Sequence, residues 1–165
     1  MLAEVNKKEN AMISKSLEEY LKTIYILKIQ NGNIRVTDIA GKMECTKASV
    51  NKAINHLKEN KLINYETYGT IELTMDGENL AKKILEAYDI VYVFLKDVLN
   101  IESEKAKFEA ENIKQAISDD TLNTLAKYTH KVLGLNNLEC DYDINKERCR
   151  ECSRRKGERE WNKVY

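Results

Sequence analysis

The chain of 165 residues contains no proline and only six glycines. Both residue types interrupt helices, so their scarcity favours a mainly helical protein. Five of the glycines fall at predicted element boundaries or in the turn-rich middle of the chain, at Gly32, Gly41, Gly69, Gly77 and Gly134. Hydrophobic residues make up 42% of the chain, which is enough to build a core.

The sequence also lacks an excess of either charge, with 27 Lys and Arg against 27 Asp and Glu. Any attraction to nucleic acid must therefore come from a local basic patch. The longest strongly apolar run, Ile90 to Leu95, is far shorter than a membrane span, and the first residues lack the basic-then-apolar layout of a signal peptide. We expect a cytoplasmic protein with no membrane partner.

Signals of catalysis are missing as well. No nucleophile and base at a suitable spacing, no phosphate-binding loop and no paired catalytic carboxylates stand out in the sequence. We therefore expect a binding protein and not an enzyme.

The first predicted helix follows a polar, aperiodic arm over residues 1–15. Ser16 and Glu19 have the spacing of a capping box, in which the two side chains satisfy free amides of the first helical turn. Asn31-Gly32 supplies a stop signal. Apolar residues keep the spacing of a one-sided helix at Leu17, Tyr20, Leu21, Ile24 and Leu27.

A helix-turn-helix pattern comes next. The predicted order is a very short strand over residues 33–36, a cap at 37–38, a brief helix over 39–43 and a turn at 44–45. Thr46 then caps a second helix, because it begins the run Thr-Lys-Ala-Ser. The inner face of this helix is formed by Val50, Ala53, Ile54 and Leu57.

A hairpin is predicted over Leu62 to Thr74, since apolar and polar residues alternate on both sides of a turn near Tyr68-Gly69. A helix-turn-helix followed by such a wing favours double-stranded DNA as a partner, although the same polar residues could form a solvated helix face. The candidate DNA contacts are Arg35, Thr37, Thr46, Lys47, Ala48, Ser49, Asn51, Lys52, Asn55, Tyr68 and Thr70.

Beyond Asp76-Gly77 lies the longest helical pattern, with two apolar rows along it. Two rows exceed the need of one small domain, so one row is expected to meet a partner chain in a homodimer through Leu80 to Ile117. Two further helices follow, the second of them opening at Ser118-Asp119 and ending at Gly134. The predicted organisation is an arm (1–15), a winged helix-turn-helix domain (16–75), a helical dimerisation domain (76–135) and a cysteine-bearing tail (136–165).

The runs SLEEYLKTIYIL, RVTDIA, TKASVNKAINHLKENKLINYE and IELTMDGENLAKKIL resemble the diphtheria toxin repressor and manganese transport regulator family of metal-dependent winged-helix repressors. The resemblance covers Ser16 to Leu133. It implies a homodimer built from the helices after the wing. Each subunit would place the helix that starts near Thr46 into one half-site of a palindromic operator.

The resemblance also implies a co-repressor metal between the first helix and the dimerisation helices, held by Asp, Glu and His. The family ligand positions in this chain are Glu19, Lys22, Tyr88, Glu111, Lys114 and Gln115. An ammonium group has no lone pair for Mn²⁺ or Fe²⁺, so we expect this site to be lost. Either the two lysines replace the ion's charge by pairing with the two glutamates, or all four are exposed charges worth only ~0–1 kcal/mol a pair.

Three of the four cysteines lie in the tail as Cys140, Cys149 and Cys152, a C-x8-C-x2-C spacing. Thiolates at this spacing suit a zinc ion or an iron–sulfur cluster, whereas a reducing compartment argues against disulfides. The fourth ligand is open between His130, Cys45, an exogenous ligand and a residue of a second subunit. The alternative is a chance group of reduced thiols. Cys45 itself is expected to be a small core residue.

Two functions therefore compete. The first is a transcriptional regulator that responds to metal, iron–sulfur or redox status through its tail cysteines. The second is a winged-helix adaptor that binds another protein, carries a structural zinc site and has no DNA role. Salt-dependent binding to duplex DNA separates them.

We predict that Cys140, Cys149 and Cys152 bind one zinc ion or one iron–sulfur cluster per chain, because three thiolates lie close together in sequence. Metal analysis and absorption spectra of anaerobically purified protein provide the test. A brown protein with visible charge-transfer absorption indicates the cluster, and a colourless protein with stoichiometric zinc indicates a structural ion. Metal-free protein, together with a triple Cys→Ser variant as stable as the parent, would contradict the prediction.

Overall fold

The computed structural model of the protein describes residues 13–66 and 69–134. Within these ranges the chain forms six α-helices, one π-helical turn and a two-stranded antiparallel sheet. Two compact units are present, one ending at Ala81 and the other beginning at Lys82. The elements are α1 (Lys15–Asn31), α2 (Val36–Lys42), α3 (Lys47–Glu59), β1 (Ile63–Tyr65), β2 (Ile71–Leu73), α4 (Met75–Val93), the π-helical turn (Phe94–Val98), α5 (Ser103–Ala116) and α6 (Asp119–Val132).

In the first unit, α1, α2 and α3 pack against one another, and β1 packs on α3. The apolar stripes predicted from the sequence face this core, since Leu21, Ile24 and Ile54 are wholly buried. Complete burial of side chains of this size is the main favourable contribution to folding, at about 1.5–3 kcal/mol each. The predicted mainly helical winged-helix architecture is confirmed in this unit.

The start of α1 differs from the predicted capping box. Ser14 is the N-cap, and its Oγ accepts a hydrogen bond from the amide of Leu17 at 3.3 Å. Ser16 lies inside the first turn, so the predicted box with Glu19 is wrong by two residues. The predicted stop is confirmed, because α1 ends at Asn31 and Gly32 has a φ of 75°.

The short strand predicted over residues 33–36 is also wrong. This segment makes a single sheet-like contact, in which the amide of Ile71 donates to the carbonyl of Ile34 at 3.0 Å. The helix α2 begins earlier than predicted, at Val36, because Asp38 accepts from the amide of Arg35 at 2.8 Å and caps the helix from its N3 position. Because α2 begins at Val36, the segment that follows Gly32 is too short to form a strand.

The wing is a hairpin in which β1 pairs with β2 in antiparallel register, with Ile63 opposite Leu73 and Tyr65 opposite Ile71. Ile63, Ile71 and Leu73 are buried, and Asn64 and Glu72 point to solvent. This alternation confirms the predicted hairpin, apart from its tip at residues 67 and 68, which lies outside the described residues.

The junction from the wing into α4 is tightly packed. Thr74 Oγ1 donates to the carbonyl of Lys61 at 2.8 Å and accepts from the amide of Gly77 at 3.0 Å. Gly77 therefore lies in the first turn of α4, whereas the sequence predicted it ahead of the helix. A Cβ built on Gly77 would overlap the backbone carbonyl oxygen of Leu62, which leaves no room for a side chain.

In the second unit, the core is formed by alanines and larger side chains from α4, α5 and α6, with Ala106 and Ala110 fully buried. Lys83 Nζ pairs with Asp119 Oδ2 at 2.6 Å and links α4 to the start of α6. Ser118 caps α6 as predicted, accepting from the amide of Thr121 at 3.3 Å.

Both apolar rows of α4 are largely covered within a single chain, since Ala81, Ile84, Leu85, Tyr88 and Val91 are all buried. The doubled rows therefore do not demand a partner chain, and the reason given for the homodimer was wrong. Apolar side chains that do remain exposed in the second unit are Leu99, Phe108, Tyr128 and Val132. Among the helices of the described ranges, none combines the length and apolarity needed to cross a membrane.

Gly77→Ala is expected to destabilise the protein by about 1–3 kcal/mol or more, because the new methyl group must displace the backbone at Leu62. The matched control is Gly41→Ala, a helical site with no atom within 4 Å of the added Cβ. That change is expected to stabilise by about 0.5–1 kcal/mol. Urea unfolding gives both values, and equal midpoints for the two variants would contradict the close approach at Gly77.

Candidate functional site

The helix α3 has one buried and one exposed face. Val50, Ala53, Ile54 and Leu57 are buried. The other face carries six of the candidate DNA contacts, all exposed: Lys47, Ala48, Ser49, Asn51, Lys52 and Asn55. Amide, hydroxyl and ammonium groups of this kind bind base edges and phosphates in the major groove. The helix thus presents polar donors on a rigid, well-packed support.

The amino end of α3 is electrostatically suited to an anion. Thr46 Oγ1 accepts from the amide of Ser49 at 3.1 Å and lies 2.9 Å from the Ser49 hydroxyl. The first turn contains no acidic residue, and it begins with Lys47. The positive end of the helix dipole is therefore reinforced and not neutralised, which favours a phosphate at this end. Because one hydroxyl donates to the other, the two together offer DNA one O–H donor and their remaining lone pairs.

The remaining candidate contacts lie around α2 and the wing. Arg35 and Thr37 are exposed at the start of α2, and Thr70 is exposed just before β2. Since Ile71 donates to the carbonyl of Ile34, the neighbouring residues Thr70 and Arg35 are held close to each other. Tyr68 lies outside the described residues.

The turn between α2 and α3 is fixed by a contact that sequence reasoning missed. Glu44 has a φ of 50°, and the amide of Cys45 donates to the carbonyl of Ala40 at 3.1 Å. Cys45 is half-buried, and its Sγ lies 3.6 Å from the hydroxyl of Tyr20 on α1. This hydrogen bond, followed by burial and then by the proximity of the thiol's charge, raises the pKa of Tyr20 above its usual value. The expected packing role of Cys45 therefore includes a polar contact to α1.

Two of the family ligand positions lie on α1, where Lys22 is almost wholly buried and its Nζ lies 2.8 Å from Glu19 Oε2. Two others lie on α5, where Lys114 is equally buried and its Nζ lies 2.6 Å from Glu111 Oε2. The exposed-charge alternative is therefore wrong for both lysines. Each pair spans three residues of one helix.

The last two family ligand positions differ from each other. Tyr88 is buried on α4, and its ring stacks on that of Tyr92 with centroids 5.9 Å apart and planes within 5°. Gln115 is exposed on α5. Neither residue supplies the imidazole or carboxylate that Mn²⁺ and Fe²⁺ favour.

These residues do not fit a divalent ion. The two glutamates already bind ammonium groups, and those ammonium groups repel a cation and donate no lone pair. Within the described ranges, no group of three or more His, Cys, Asp or Glu side chains is placed to hold a metal. The predicted ligands Cys140, Cys149 and Cys152 lie outside those ranges.

A winged helix-turn-helix unit with an exposed polar helix, followed by a helical unit, defines a DNA-binding transcriptional regulator. The iron-dependent repressor N-terminal DNA-binding domain matches residues 12–71, and the iron-dependent repressor metal-binding and dimerisation domain matches residues 74–133. The chain belongs to the iron-dependent repressor family, as the sequence resemblance predicted. The family consists of transcriptional regulators and not enzymes, and its two domains indicate DNA and a second copy of the chain as partners.

Similar proteins include a helix-turn-helix transcriptional regulator of Methanocaldococcus jannaschii, 32% identical over 120 residues that cover 72% of this chain and 96% of the relative. The regulator MntR of Bacillus subtilis is 27% identical over 114 residues, covering 69% of this chain and 80% of that protein. Among solved structures, IdeR of T. acidophilum is 25% identical with a TM-score of 0.57, covering 71% of this chain and 53% of that one. The chain thus spans about half the length of this structure and of the manganese regulator SloR.

Proposed function

We propose that the protein is a sequence-specific DNA-binding transcriptional repressor that acts as a homodimer. The observation that carries this proposal is the exposed polar face of α3, with its uncompensated positive end. In this proposal, residues 16–75 bind duplex DNA and residues 76–135 dimerise. The contacts come from α3, from Arg35 and Thr37 beside it, and from the wing around Thr70 and Tyr68.

Dimerisation is supported by exposed apolar side chains in the second unit. Phe108 is 73% exposed and Leu99 is 50% exposed, although apolar groups of this size favour burial. Both lie within the stretch from Leu80 to Ile117. A closed two-fold pair would cover these side chains and present two copies of α3 to two half-sites of one operator.

Replacing Asn51 and Lys52 together by Ala is expected to weaken binding to the operator by about 10- to 100-fold or more, because one base-reading amide worth ~1–3 kcal/mol is lost together with one phosphate contact. Fluorescence anisotropy with labelled duplex at several salt concentrations measures the loss. The slope of log affinity against log salt should also fall by about one unit for the removed lysine.

The matched control is Lys15→Ala with Asn31→Ala, which removes the same residue types from exposed positions of α1, outside both the proposed DNA contacts and residues 76–135. This variant should bind DNA as the parent does. If the parent binds duplex DNA with no dependence on salt, or not at all, the repressor proposal fails and the adaptor interpretation gains support.

We propose further that the tail cysteines regulate DNA binding by holding an iron–sulfur cluster or a zinc ion. Three observations support this role, and the first two are the spacing of Cys140, Cys149 and Cys152 and their position beyond residue 133, where the matched dimerisation domain ends. The poor fit of the family ligand positions to a metal is a third, because it leaves the described residues without a metal sensor.

Loading the tail site is expected to change the affinity for operator DNA by a factor of about 5–150, the usual range of coupling between two sites. The comparison is between metal-loaded and metal-free parent, each measured by anisotropy. A triple Cys→Ser variant is the control and should give one affinity under both conditions. Equal affinity of the two parent samples would exclude regulation through the tail.

A further inference from the structure

Two lysines occupy equivalent local positions in different helices. Lys22 follows Glu19 by three residues in α1, and Lys114 follows Glu111 by three residues in α5. Their side chains are only 5% and 2% exposed, while the paired glutamates are 35% and 27% exposed. A third pair with this spacing, Lys107 with Glu104, has a lysine that is 31% exposed and a glutamate that is 76% exposed. Burial therefore distinguishes the first two pairs from an ordinary surface pair.

A buried ammonium group is unfavourable unless an opposite charge compensates for its lost hydration. The short distances of 2.8 Å and 2.6 Å show that each lysine has such a partner within its own helical turn. Surface lysines gain little from similar pairs and are held only loosely. In each of the two buried pairs, the glutamate thus compensates the charge of the lysine.

The net charge of each pair supports a specific role. Carboxylates at both positions of a pair would give a local charge of −2, which calls for a divalent cation. With lysine at the second position, each pair carries one negative and one positive charge and is neutral without any ion. The lysines therefore deliver the same compensation that a bound metal would deliver, and they do so permanently.

We propose that Lys22 and Lys114 act as built-in cations that replace the divalent co-repressor ion of the family, so that the fold and its DNA binding are independent of Mn²⁺ and Fe²⁺. This inference deepens the proposed function and depends on it only for the DNA measurement. It assigns the two lysines a charge-compensating role at positions where the family holds ligands.

The test is the double variant Lys22→Glu/Lys114→Glu, made in the full chain with Cys140, Cys149 and Cys152 changed to Ser so that the tail binds no metal. The parent in the same background should show one Tm in EDTA and in Mn²⁺. The double variant should have a lower Tm in EDTA and recover it in Mn²⁺, because four carboxylates then replace two neutral pairs. Its DNA affinity should rise about tenfold with Mn²⁺, whereas that of the parent stays constant.

Two further variants separate charge compensation from packing. Lys22→Arg/Lys114→Arg keeps both charges and should remain unresponsive to Mn²⁺, even if the larger side chain lowers its Tm. Lys107→Glu makes the same charge change in the exposed pair of α5 and should also remain unresponsive. A Mn²⁺-dependent Tm in either control would contradict the assignment to Lys22 and Lys114.

The outcomes are distinct. A parent that is itself stabilised by Mn²⁺, or a double variant that does not respond to it, overturns the proposal. If the double variant is unfolded in EDTA, folding on addition of Mn²⁺ supports the proposal, and failure to fold in Mn²⁺ opposes it. If the Tm values behave as expected and no protein binds DNA, the proposed repressor function fails while the role of the lysines stands.

Discussion

The apolar contact of α3 with α1 and α2 is the constraint on which the exposed polar face of α3 depends. Val50, Ala53, Ile54 and Leu57 can all be buried only if α3 keeps one rotation about its own axis. That rotation places Asn51, Lys52 and Asn55 in solvent together. The hydrogen bond between Tyr20 and Cys45 holds the preceding turn against α1. The start of α3 is therefore positioned by this turn as well as by the buried face of the helix.

Much of this arrangement could be predicted from the sequence, because it depends on periodicity and on strong local signals. Thr46 and Ser118 cap their helices as predicted, and the alternation of Ile63 and Tyr65 with polar residues predicted the wing. Failures occurred where two local signals compete. Ser14 and Ser16 are both good N-cap residues, and Ser14 holds the cap in the structure. Residues 33–36 have strand-like composition, but the side chain of Asp38 accepts from the amide of Arg35, and α2 begins at Val36 instead.

The site was less predictable, since burial of a charged side chain is a tertiary property. The spacing of Glu19 and Lys22 is equally compatible with a surface pair, as Glu104 and Lys107 demonstrate within the same chain. No periodicity rule places an ammonium group in the interior, because most lysines are exposed. The contact between Tyr20 and Cys45 joins residues 25 positions apart and has no local signal at all.

The buried lysines also restrict how the protein can respond to its surroundings. A metal ion exchanges with the medium, and its occupancy therefore reports the metal concentration. A lysine is part of the chain and remains in place at every metal concentration, so a glutamate paired with Lys22 or Lys114 carries no information about metal supply. If the two lysines act as proposed, a ligand that regulates DNA binding would bind elsewhere. The tail cysteines beyond the matched domains have the chemistry for such a site, and through them a signal would reach DNA binding without passing through the family ligand positions.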